Sequence, residues 1–276
     1  MRSIVRLSDV KLSDLKEIFS IADSIHKNSA ELDRKTAVLF FPHSSIRTRV
    51  TFEKGIKLLG GQSILFPPDA LDKREEIKDV AAYLGNWADL IIIRHSSLAL
   101  VEKLAKHSGA PIINAMTGEN HPCEIISDLY ALSKQREDFL SLQYTFVGKS
   151  GNIGNTWFEA SRSYGFNFRQ CCPGGMGYEI EGAEVVNGLD EAMRGSDVIL
   201  TDSLSAEALE DFLPYQITLD ALQKANENAL FNPCPPFFRG EELSEDAIES
   251  RYFVGYGFKK SLLEVQQALM LFALSG

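Results

Sequence analysis

Short, wholly apolar runs separated by amphipathic stretches limit what this chain can fold into more than any other feature. Residues 90–93 are Leu90 followed by three isoleucines, so a strand built from them must be buried on both faces. Residues 36–41 read the same way. Further short strand candidates fall at 61–66, 88–93, 111–114, 143–148, 167–172, 184–186, 197–200 and 228–231. Helical periods occupy 12–26, 51–59, 77–84, 98–107, 122–133, 156–164 and 261–274, with Leu15, Ile18, Phe19 and Ala22 on one face of the first. Strands alternating with helices predict parallel sheets covered on both faces. A chain of 276 residues, 45% of them apolar, suffices for one large or two modest domains. The polar segment 132–142 marks a junction between residues 1–132 and 133–260. The predicted class is therefore α/β, with two doubly wound parallel sheets.

Composition excludes several functions. The formal charge is −10, which argues against a protein that coats nucleic acid. No run of 18 apolar residues marks a membrane span, and residues 1–9 lack the apolar core of a signal peptide, so a cytoplasmic protein is expected. Cys123, Cys171, Cys172 and Cys234 have neither CxxC spacing nor paired histidines, which argues against a metal site and a disulfide framework.

The chemistry concentrates where strands end. Phe40-Phe41-Pro42-His43-Ser44-Ser45-Ile46-Arg47-Thr48-Arg49 joins an apolar run to an amphipathic helix that stops at Gly60-Gly61. Ser45 occupies the expected N-cap, and Arg47 and Arg49 fall in the first turn. Cations there oppose the helix dipole, a cost that a bound anion reverses. Backbone N–H groups, hydroxyls and guanidinium groups together suit a phosphate group, although solvated arginines and an ordinary cap would look the same. Ser45-Ile46-Arg47-Thr48-Arg49 resembles the S-x-R-T-R signature of the aspartate and ornithine carbamoyltransferases, which grips the phosphate of carbamoyl phosphate after a strand and at the start of a helix.

Other segments extend the resemblance, strongly over residues 36–130 and loosely beyond. Arg94 follows the apolar run 90–93; alone it could cap the sheet edge or face a crevice, and in the family it is a carbamoyl phosphate ligand. His95 follows it as in the aspartate branch. His121-Pro122-Cys123-Glu124, then Ser127-Asp128-Leu129, is similar to the family's H-P-x-Q…D-L segment, whose histidine polarises the carbamoyl carbonyl. Glu124 replaces the glutamine and can only accept hydrogen bonds when ionised. Lys73 resembles the lysine that the aspartate branch lends to a neighbouring subunit's site, with Arg74 in place of glycine; a solvated charge run is the alternative. Residues 147–155 resemble the ornithine branch's V-G-D-G-N-N-x-x-N loop and place Asn155 on its amino-acid-binding asparagine. Their glycines do not fit the G-x-G-x-x-G of a dinucleotide site. Asp202 matches the aspartate of T-D-x-W, while the following S-M-G is absent. Asn232-Pro233-Cys234-Pro235-Pro236 stands at the family's H-C-L-P-R or H-P-L-P-R, with a cis bond expected at Cys234–Pro235.

The resemblance implies a carbamoyltransferase that uses neither cofactor nor metal. Its ligand cleft would lie between the domains, carbamoyl phosphate bound by 1–132 and the acceptor amine or amino acid by 133–260. Helix 261–276 would pack back on the first domain. Carbamoyl phosphate would meet Ser45, Ile46, Arg47, Thr48, Lys73, Arg94, His121, Glu124 and Cys234, with His121, Arg47 and Arg94 acting in catalysis. Asn155 and Asp202 would meet the acceptor, an amino acid or small amine whose identity stays open. A homotrimer, or a multiple of it, with shared active sites is also implied. A non-catalytic relative that binds a phosphorylated metabolite or partner subunits is the rival reading, prompted by Glu124, Asn232 and Pro236.

Overall fold

A computed structural model describes residues 2–25, 30–178 and 182–275. The chain divides into two compact units, residues 1–131 with 260–276, and residues 132–259.

In the first unit the strands are β1 (Thr36–Phe40), β2 (Gln62–Phe66), β3 (Leu90–Arg94) and β4 (Ile112–Met116). All pair in parallel in the order β2-β1-β3-β4. The central strands are buried along almost their whole length, as unbroken apolar runs require. The helices are α1 (Leu12–Ser24), α2 (Arg47–Leu58), α3 (Ile77–Leu84), α4 (Leu98–His107) and α5 (Pro122–Gln135). Val38, Phe40, Ile91, Ile93 and Ile112 pack on one sheet face against Ala81, Leu98, Val101 and Leu104 of α3 and α4. The C-terminal helix Leu262–Leu274 is buried almost all round and packs on α1, α2 and β4, with Gln267 Nε2 donating to the Gly55 carbonyl at 3.3 Å. It thus completes the unit's covering layer from the far end of the sequence. Ile4 adds a short parallel bridge beside Ile113.

The second unit repeats the design with β5 (Gln143–Val147), β6 (Asn167–Cys171), β7 (Glu184–Val186), β8 (Val198–Thr201) and β9 (Leu230–Pro233), ordered β7-β6-β5-β8-β9 and all parallel. α6 (Asn152–Tyr164) carries Trp157, which packs with Tyr144 and Phe166. Val147, Cys171, Ile199 and Phe231 share a second cluster with Met193 and Leu222. The units also share a pinning device. Asp89, just before β3, accepts the Thr36 N–H of β1 at 2.8 Å, and Asp197, just before β8, accepts the Gln143 N–H of β5 at 2.9 Å.

Several details depart from the sequence reading. α6 starts at Asn152, four residues before the predicted start, because Gly151 serves as its N-cap; Asn155 therefore lies in the helix and not in a loop. The N-cap of α2 is Ile46, in α-helical backbone geometry, and not Ser45. The cis peptide bond joins Pro235 to Pro236, one residue beyond the expected position. β9 reaches Pro233 rather than ending at Phe231 because it follows the register of β8 to Thr201. The predicted end of the first helix at His26 lies outside the described residues.

Candidate active site

In the first unit the polar groups gather at the carboxyl ends of β1, β3 and β4. Phe40 ends β1, Pro42 to Ser45 form a turn, and α2 begins at Arg47. Ser45 and Thr48 are buried, while Arg47 is exposed. Arg94 ends β3, at an irregularity in its register with β4. Its guanidinium donates to the Ser45 hydroxyl at 3.2 Å, so two segments separated by 49 residues meet at one polar point. Freed from capping, the Ser45 hydroxyl faces the arginine. Arg49 turns along its own helix instead, with Nε 2.6 Å from Glu53 Oε1. Ile46 is 71% exposed.

His95 extends this cluster to the loop that carries Lys73. The Ser97 N–H donates to His95 Nδ1 at 3.0 Å, which leaves Nε2 to donate to Asp72 Oδ1, also at 3.0 Å. That pairing sets the tautomer with the proton on Nε2. His95 is buried and Lys73, next to Asp72, is exposed.

The turn after β4 supplies the third group. Gly118 N–H donates to the Ser96 carbonyl at 2.9 Å, tying this turn to the end of β3. Asn114 Nδ2 donates to Asn120 Oδ1 at 2.6 Å, and Thr117 bonds the same turn. His121 follows, buried, directly before α5, and Glu124 is buried in the first turn of that helix. An acid there is favoured by the positive end of the helix. Cys123 donates its S–H to the Asn114 carbonyl at 3.3 Å, and burial first, then the Glu124 charge, pushes its thiol pKa up. Cys123 is therefore a neutral packing group.

In the second unit, Asn155 lies half-buried in the first turn of α6. Asp202 follows β8, half-buried, its Oδ1 accepting the Ser203 N–H at 2.9 Å. Cys234 follows β9, buried, with its N–H on the Thr201 carbonyl at 2.8 Å. Asp202 and Cys234 therefore sit at strand ends and Asn155 in the first turn of the helix that follows β5, where ligand-binding groups fall in open parallel sheets. Sequence reasoning missed Tyr178, buried beside the start of α6; a lone tyrosine after a glycine-rich turn carries no motif. Among the described residues no cluster of three metal-ligating side chains occurs, and no helix is long and apolar enough to cross a membrane.

Residues 2–134 match the model of the carbamoyl-P binding domain of aspartate/ornithine carbamoyltransferase, and residues 141–273 match that of its Asp/Orn binding domain. The chain is 30% identical over 301 residues to ornithine carbamoyltransferase of Methylobacillus flagellatus, covering 100% of this chain and 98% of that protein. It is 32% identical to that of Ralstonia pickettii, covering 89% and 85%. The structure of ornithine carbamoyltransferase from Burkholderia thailandensis E264 superposes with a TM-score of 0.93 at 27% identity, over 99% of each chain. That from Pyrococcus furiosus also gives 0.93, at 26% identity, over 100% of this chain and 97% of the other.

Proposed function

Since this chain belongs to the aspartate/ornithine carbamoyltransferase family and is itself a carbamoyltransferase, moving a carbamoyl group from carbamoyl phosphate to an amino group, we propose which of its residues perform the transfer. The observation that carries the proposal is the 3.2 Å contact of Arg94 with Ser45, which joins the end of β3 to the head of α2. Ser45, Ile46, Arg47, Thr48 and Arg94 hold the phosphate, and Lys73 adds a further charge. His121 donates to the carbamoyl oxygen and Glu124 accepts from the carbamoyl NH₂. A neutral amine attacks the carbonyl carbon, negative charge builds on the oxygen, and collapse breaks the C–O bond, the departing phosphate taking the proton that the amine nitrogen loses. Arginines and a histidine stabilise that charge best where water is scarce, and burial of Ser45, Thr48, His121 and Glu124 supports such a setting.

Asn155 and Asp202 meet the acceptor, and Cys234 reaches the carbamoyl group. The carboxylate of Asp202 favours an acceptor with a second, cationic group, so a basic amino acid such as ornithine is the first candidate. Trimers, or multiples of them, follow the same reading. Exposed apolar side chains on the first unit support burial by further copies, among them Ile64 and Phe66 on the edge strand β2, and Trp87. Four free, buried cysteines agree with a reducing, cytoplasmic compartment.

Phosphate release with carbamoyl phosphate and a panel of amines tests the activity. The largest kcat/KM is expected for a basic amino acid. Release that no amine stimulates would overturn the reading, and sedimentation of the purified chain as a monomer would overturn the assembly.

A further inference from the structure

We infer that Tyr178 is a specificity residue of the acceptor site, its phenol donating a hydrogen bond to a carboxylate on the acceptor, so that amino acids are preferred over simple amines. The inference rests on the reading of Asn155 and Asp202 given above.

Tyr178 is 8% exposed, and its hydroxyl is buried with no hydrogen-bond partner among the described residues. Such a group costs about 1–3 kcal/mol unless a ligand or water satisfies it. Its position is well determined. The Tyr178 N–H donates to Gln170 Oε1 at 2.9 Å, and Gln170 Nε2 donates to the Gly148 carbonyl at 2.8 Å, which ties the segment to the end of β5. The ring stacks on Phe158 of α6 at 5.5 Å between centroids.

The hydroxyl lies against Gly154, in the first turn of α6 and next to Asn155. A Cβ on residue 154 would sit 2.2 Å from the phenol oxygen. The glycine is therefore the space in which the hydroxyl fits. α6 is 13 residues long, with a glycine N-cap, no side-chain cap and no acid in its first turn, so the positive end of its dipole is not neutralised locally. A helix start and an unsatisfied phenol together favour an anion. Burial above all pushes the phenol pKa up, so Tyr178 stays a neutral donor. Asp202 follows β8, which pairs with β5, the strand that leads into α6. A donor pair for a carboxylate beside an acceptor for a cation matches the two charges of an amino acid.

The test compares L-ornithine with 1,4-diaminobutane, which lacks only the carboxylate, in phosphate release by the full-length protein. The unmodified protein should prefer ornithine by more than 100-fold in kcat/KM, since a site built to bond a group rejects the analogue without it. Tyr178→Phe should shrink that preference about tenfold, chiefly through KM for ornithine, leave 1,4-diaminobutane kinetics unchanged, and leave the unliganded melting temperature no lower. Gly154→Ala, which displaces the hydroxyl, should give the same loss of preference. A preference within twofold of the unmodified protein's in both variants would overturn the inference, as would equal use of the two amines by the unmodified protein. Phosphate release that no amine stimulates would overturn carbamoyl transfer itself, a distinct result.

Discussion

Arg94 shows how little a residue type says until its neighbours are known. On its own it is a strand-end arginine; beside a buried serine hydroxyl from the head of α2 it becomes half of the proposed anion site. If that site holds phosphate, Arg47→Ala and His121→Ala should each lower kcat by about 100- to 1000-fold, the usual effect of removing one charge-stabilising donor. Far-ultraviolet circular dichroism should stay unchanged, and steady-state kinetics near those of the unmodified protein would contradict the assigned roles. Residue chemistry also sets what the cysteines do. Burial first, then the neighbouring Cys172, pushes the Cys171 thiol up to about 12, and Cys123 is raised further. The reactive thiolate is thus suppressed at neutral pH. Iodoacetamide should label neither in the native protein and both after denaturation, as read by mass spectrometry.

At the scale of elements, each sheet is pinned by an aspartate that caps the central strand next to it. Asp197 serves two partners, the Gln143 N–H and Asn226 Nδ2 at 2.7 Å. Asp197→Ala should cost about 1–3 kcal/mol in chemical denaturation, since two donors lose a charged acceptor. Gly165 closes α6 with φ of +79°, in the left-handed region, and Gly165→Ala should cost about 1 kcal/mol for the strain of a Cβ there. The loop after β9 adds a pH-dependent element. Glu242 is buried, and burial holds its pKa above the ordinary carboxylate value while Oε1 accepts the Phe238 N–H at 2.5 Å. The folded chain therefore binds this proton more tightly than the unfolded one, and stability is lost as pH rises from the ordinary carboxylate value through the raised one. Glu242→Gln should raise the melting temperature at pH 7, and the gain should vanish toward pH 4.

For the whole molecule the governing linkage is ligand binding. Carbamoyl phosphate at 100 times its dissociation constant should stabilise the native chain by about 2.7 kcal/mol, visible as a higher melting temperature. Inorganic phosphate, which lacks the group offered to His121 and Glu124, should give a smaller shift. Equal shifts would mean that only the phosphate is recognised.

The order of strands and helices was legible in the sequence because burial on two faces leaves its mark on every residue of a strand; β3 and α4 are plain in their side chains. The proposed phosphate grip of Ser45, Arg47 and Thr48 is local in the same way, since it draws on adjacent side chains and the backbone between them. What hydrogen bonding between distant segments decides left no local trace. Only the tertiary structure turned Ser45 from a helix cap into a partner of Arg94, and tied the Lys73 loop to His95 through Asp72. The same holds for α6, whose early start brings Gly154 under the Tyr178 hydroxyl. Propensity and periodicity act over a turn or a strand, whereas these contacts join residues 23 to 49 positions apart, whose meeting depends on how the sheet is wound.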